Sequence, residues 1–259
     1  SLGVSVGTGY MYIQSNREYV KETMRGGHSE LVKKTDSQNK TEGLDLDYAT
    51  QWSYGIDETM TLLIPNFKGG SSNYNIGTDS KIFNELKENG VPRKDAENFC
   101  KNVPAYWGTQ PFTSGPVYVG AIIFFLFVLG LLIVKGPYKW ALLVATFFSI
   151  LLSWGKNFLP FTELFFNYFP MYDKFRAVSS ILVVAEITIP LLALLALKTI
   201  MDKEIPKEKI IKNIYISGGI TAGVCLIFAL FGGIFYNFVS PNDAQFTSQI
   251  PDWLYDGIL

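Results

Sequence analysis

Histidine occurs once in this chain and cysteine twice. His28 has no second histidine to complete a zinc pattern, and it reads as a surface polar residue. Cys100 lies in a polar stretch and Cys225 in an apolar run, so no structural disulfide is expected between them. Charge is also scarce. Only 17% of residues are Asp, Glu, Lys or Arg, and the net charge is −1. That balance lacks the basic field with which nucleic-acid binders gather phosphates, so no nucleic-acid partner is expected. Gly3, Gly7 and Gly9 have the wrong spacing for a dinucleotide fingerprint, and no glycine-rich loop runs into Lys-Ser/Thr. The chain opens on Ser1 with no charged leader or cleavage site, and reads as a piece of something longer.

What is abundant is apolar surface, and it is unevenly spread. The chain of 259 residues is 48% hydrophobic and 15% aromatic. Residues 1–116 hold 26 of its 45 acidic and basic residues. Beyond them come long runs without charge, as expected of a membrane region. Val117–Val134 is 18 residues without a charge, close to the ~20 that a helix needs to cross ~30 Å of hydrocarbon. Trp140–Trp154 is shorter, but a tryptophan at each end suits the two interfaces. Ala177–Leu197 is interrupted by Glu186 and Pro190, and Asn213–Asn242 carries no charge. The expected fold class is therefore all-α: a polytopic membrane protein fragment with an extracytoplasmic helical and irregular segment. Four membrane helices are expected, over about 117–134, 140–154, 176–198 and 213–238.

Lysine placement orients them. The turn at 135–139 and the loop at 198–212 carry seven lysines, and the side that holds the polar half carries few cations near the membrane. By the positive-inside rule, residues 1–114 and the tail 243–259 are extracytoplasmic, and 115–242 is the membrane region. Within the polar half, Thr78 or Asp79 is expected to cap a helix ended by Gly90, and Pro92 to start another. Residues 33–47 and 66–77 are rich in turn formers and are expected to be irregular. Asn39-Lys-Thr41 matches a glycosylation acceptor by pattern alone. Gly219-xxx-Gly223 allows close helix packing.

The densest chemistry lies in "SWGKNFLPFTELFFNYFPMYDKFRAVSS", residues 153–180. This link is too long for a tight helical hairpin, too apolar for a solvated loop, and broken by Pro160 and Pro170. An interfacial helix over about 160–170 fits it. Its charges Lys156, Glu163, Asp173, Lys174 and Arg176 then sit at phosphate depth. Two readings stay open. Lys156, Lys174 and Arg176 snorkel to ordinary headgroups, or they bind the phosphate of a lipid substrate with Glu163 and Asp173 nearby for acid–base or metal work. Glu186 is expected near mid-bilayer, facing the protein interior or a cavity, with Pro190 kinking the helix there. Asp57 and Glu58 are candidate acceptor-side groups.

Segments 153–186, 106–121 ("YWGTQPFTSGPVYVGA") and 52–70 ("WSYGIDETMTLLIPNFKGG") resemble the bacterial YfhO family of multi-pass membrane proteins, and "YVKETMRGGHSEL" (19–31) looks like that family's linker. The resemblance covers about residues 10–200. It implies a GT-C type glycosyltransferase in the bacterial cytoplasmic (inner) membrane, moving a sugar from a polyprenyl-phosphate carrier to a cell-envelope glycopolymer. The resemblance places the catalytic base in an earlier loop outside this chain. No cofactor is assigned, and a divalent metal is compatible with the reading. The alternatives are a flippase of lipid-linked sugars and a non-catalytic envelope assembly protein.

Overall fold

A computed structural model describes residues 44–170, 172–202 and 205–235, with Tyr10, Gln14, Ser15, Glu18 and Tyr19 besides. The expectations for Gly3, Gly7, Gly9, His28, the sequon at 39–41 and the tail 243–259 fall outside the described residues. The described chain is helical: α1 (Leu46–Ala49), α2 (Lys81–Glu88), α3 (Arg93–Cys100), α4 (Ala121–Ile133), α5 (Tyr138–Ser153), α6 (Leu159–Tyr168), α7 (Val183–Met201) and α8 (Lys207–Phe235). It divides into two compact units. The first joins residues up to Ser53 with Leu151–Ser180, and the second holds Tyr54–Ile150 and everything from Ile181 on.

In the first unit, the Asp45 carboxylate accepts the Tyr48 N–H and so caps α1, as a short side chain with a β-region backbone does. The Thr50 hydroxyl donates back to the Leu46 carbonyl and closes the turn. The chain then breaks at Gly155, whose φ of 44° is left-handed. A Cβ there would collide with the Ser53 hydroxyl. A turn of 3-10 helix over Gly155–Phe158 leads into α6, with Pro160 in its first turn, where no N–H is required. Thr162, fully buried, donates to the Gly155 carbonyl at 2.8 Å and fastens the helix to the break. Neither α5 nor the run from Gly155 to Tyr168 is long enough alone to cross a membrane. Leu44, Ala49 and Phe166 form the core of this unit, with Leu46 and Tyr172 against it.

In the second unit, the cap of α2 is Ser80, not Thr78 or Asp79. Its hydroxyl accepts the Phe83 N–H at 3.2 Å. Gly90 follows with φ 78°, and Pro92 precedes α3 as expected. The two helices bury Phe83, Leu86, Ala96 and Cys100 between them. The Gly/Ser/Asn-rich stretch has its own order. Gly70 N–H donates to Ala105 O, and Tyr74 N–H to Val103 O, so residues 69–74 lie along 103–106. Gly69, at φ 82°, has no room for a side chain beside the Ala105 carbonyl.

Among the described residues, two stretches are long and apolar enough to cross a membrane, Val178–Met201 and Lys207–Gly232. The bent α5–α6 pair makes a third if it is one span. Four spans were expected, and two to three stretches reach that length among the described residues. The first was expected from 117, but Gly120 sits at φ 110° and α4 begins at Ala121. Its 13 residues rise only ~20 Å at ~1.5 Å each. The third was expected from 176, but Ala177 has φ 64° and a 3-10 turn over Val178–Leu182 precedes α7. Helix α4 packs against both α7 and α8. Gly130 sets the first contact, since a Cβ there would approach the Leu192 carbonyl to 2.8 Å. Ser217 of α8 donates to the Phe125 carbonyl at 2.7 Å. The hydroxyls of Thr146 on α5 and Thr188 on α7 meet at 2.6 Å. These small and polar contacts are the kind that join helices in lipid, where apolar burial offers little drive.

Candidate functional site

In the first unit, Lys156 and Arg176 of the 153–180 link meet the segment Tyr48–Ser53. The Ser53 hydroxyl accepts the Lys156 N–H at 2.8 Å, and the Trp52 carbonyl accepts the Ser179 N–H at 3.2 Å. Arg176 is held between two rings. Its guanidinium carbon lies 4.3 Å from the centre of Tyr48 and 4.1 Å from that of Trp52. One terminal nitrogen donates to the Tyr48 hydroxyl at 2.7 Å and the other to Gln51 Oε1 at 3.1 Å. A guanidinium carries five N–H groups, so three keep no hydrogen-bond partner among the described residues. The rings fix its plane, and planar fixation suits a two-pronged grip on phosphate. The sequence carried no local signal of this clamp, because Tyr48 and Trp52 lie more than a hundred residues from Arg176.

The other residues separate by environment. Lys156 is exposed. Lys174 is paired with its neighbour Asp173 at 2.9 Å, and both side chains are largely covered, so their charges offset one another. The Asp173 backbone carbonyl accepts the Leu44 N–H. Glu163 is exposed on α6. Apolar side chains line the same helix. Trp154, Phe158, Phe161, Phe165 and Phe169 follow one another at 5.1–6.1 Å between ring centres. Phe158, Leu159, Leu164, Tyr168 and Phe169 are exposed. Tyr172, whose hydroxyl is buried without a hydrogen-bond partner, has its pKa pushed up to about 12 by burial.

The remaining expected residues lie in the second unit. Glu58 is 4% exposed, which corrects its reading as an acceptor-side group. Its carboxylate accepts the Gly55 N–H at 3.1 Å and the Tyr106 hydroxyl at 2.8 Å. Tyr106 in turn accepts the Gln110 N–H. Burial is the main cause that raises the Glu58 pKa, and the two hydrogen bonds work against it. Burial and the Glu58 charge likewise raise both Tyr54 and Tyr106. Asp57, half-exposed, pairs with Lys68 at 2.6 Å. Lys68 also lies 4.2 Å over the Trp107 ring. Glu186 is corrected too. It occupies the first turn of α7 and is exposed, not turned into an interior at mid-helix. Helix α7 is a single helix through Pro190. A carboxylate in the first turn faces the positive end of the helix dipole.

Cys100 is buried, Cys225 is half-buried, and neither is in a disulfide. Among the described residues, no group of three His, Cys, Asp or Glu side chains could hold a metal ion. No family model, curated protein or solved structure matches this chain.

Proposed function

We propose that this chain is the carrier-binding part of a bacterial membrane glycosyltransferase of the GT-C kind. It would act on the extracytoplasmic side of the cytoplasmic membrane and pass a sugar from a polyprenyl-phosphate carrier to an envelope glycopolymer. The activity class comes from the YfhO resemblance. The observation that supports a phosphate site is the ring-clamped Arg176, with three N–H groups that no described residue takes. Exposed Lys156 supplies a second cation within the same unit, tied through Ser53 to the segment that clamps Arg176. Lys174 contributes less, because Asp173 already neutralises it. The exposed aromatics of α6 are suited to the bilayer surface, where a lipid phosphate sits.

In such a transfer, the acceptor hydroxyl oxygen bonds to the anomeric carbon while the carbon–phosphate-oxygen bond breaks. The hydroxyl proton passes to a carboxylate, and the carrier phosphate leaves with the bonding pair. Cations on that phosphate stabilise the charge it gains. This chain would supply the cations, with the base elsewhere.

The test uses the full-length protein in vesicles containing the carrier lipid. A hydrogen bond to a charged group is worth about 1.5–3 kcal/mol, so Arg176→Gln should weaken carrier binding by about ten- to a hundredfold. Arg176→Glu should abolish it. Lys174→Glu should act less than Lys156→Glu. Unchanged carrier binding and transfer in Arg176→Glu, at normal expression, would sink the phosphate site. Loss of carrier flipping with transfer intact would favour a transporter.

A further inference from the structure

The second unit holds an apolar groove of about 490 Å³, within the size range of small-ligand sites. Leu63, Phe67 and Trp107 form one wall, and Ala121 of α4 with Cys225 and Phe228 of α8 form the other. Phe67 stands edge-on to Phe228 at 5.1 Å. Its lining has no charged side chain. Lys68, packed on the Trp107 ring, already carries the Asp57 carboxylate, so this neighbouring pair brings no net charge to the groove. A sugar, peptide or charged headgroup seated there would lose its hydrogen bonds to water and find few in exchange. A hydrocarbon chain loses nothing.

Helix α8 points to the source of that chain. It includes a stretch apolar enough to span a bilayer, and only 11% of that window is buried. Beside the groove residues, Leu226, Leu230 and Phe231 are exposed on the same helix. The groove is thus continuous with a surface suited to acyl chains, which are its most concentrated neighbours in a bilayer. We infer that the groove binds one acyl chain of a bilayer phospholipid as a resident lipid. This inference rests on the second unit alone and is independent of the Arg176 site.

Photolabelling tests it. The full chain is reconstituted in phosphatidylcholine vesicles that carry a phospholipid with a diazirine near one acyl terminus. After irradiation, adducts are mapped by mass spectrometry. Adducts are expected on Trp107 and Phe228 as well as on exposed Leu230. Ala229→Trp, which fills the groove, should lower the first two several-fold and leave Leu230 labelled. Ala121→Phe, filling it from α4, should do the same. Labels confined to Leu230 in the unaltered protein would overturn the inference, whether or not either variant folds. So would labels on Trp107 and Phe228 that persist in the filled variants.

Discussion

Glu58 shows at the residue scale how burial remakes a group that sequence alone presents as surface chemistry. Asp57 and Glu58 stand side by side in the sequence as candidate acceptor-side groups, and nothing local marks one of them as buried. The fold nevertheless closes Tyr54, Thr61 and Tyr106 around Glu58. Because its folded pKa is raised, the folded state holds the proton more tightly than the unfolded chain. Stability from this group is therefore full below the ordinary glutamate range and falls as pH rises through that range toward the raised value. Glu58→Gln removes the titration; its single amide oxygen can still accept the Gly55 N–H, while its NH2 turns to the Tyr106 hydroxyl oxygen. We expect thermal melts in detergent between pH 4 and pH 8 to show a decline for the natural chain that the variant lacks. Parallel curves would refute it. Arg176 is the converse case. Its chemistry was visible in the sequence, but its clamp was not, because Tyr48 and Trp52 lie more than a hundred residues away.

Helix and loop boundaries follow from residues that only some positions tolerate. Pro92 and Gly90 were readable because each has one common role at a helix end. The Ser80 cap was missed by one or two residues because Thr78, Asp79 and Ser80 are all good caps, and only the turn made by Gly77 at φ 76° chooses among them. The break at Gly155 and the contact at Gly130 depend on what approaches them. Gly130→Ala should separate α4 from α7 and cost about 1–3 kcal/mol, the range for overpacking a close contact. Gly155→Ala meets both a left-handed backbone and the Ser53 hydroxyl, so it should destabilise by a similar amount. Unfolding midpoints in detergent check both, and a shift within error at either glycine would remove its packing role. Gly219→Ala, with nothing near its missing side chain, is the control.

Over the whole molecule, the polar half, the apolar runs and the lysine bias imply one orientation. Single cysteines placed at Lys139 and Lys209 should resist a membrane-impermeant thiol reagent in intact cells. Cysteines at Asn89 and Asn167 should react. Reaction at Lys139 or Lys209 would reverse the orientation. Composition alone determined that this is a helical chain with stretches apolar enough to cross a membrane, because charge-free runs of that length have few other stable places. It also located the charged aromatic link after α5. Only the tertiary structure decided where two of those stretches begin as helix, since positive φ at Gly120 and Ala177 delays them. It alone decided which charges meet a partner, which are buried, and that an uncharged groove opens beside α8. Those outcomes depend on contacts between residues far apart in the chain, and local periodicity carries no record of them.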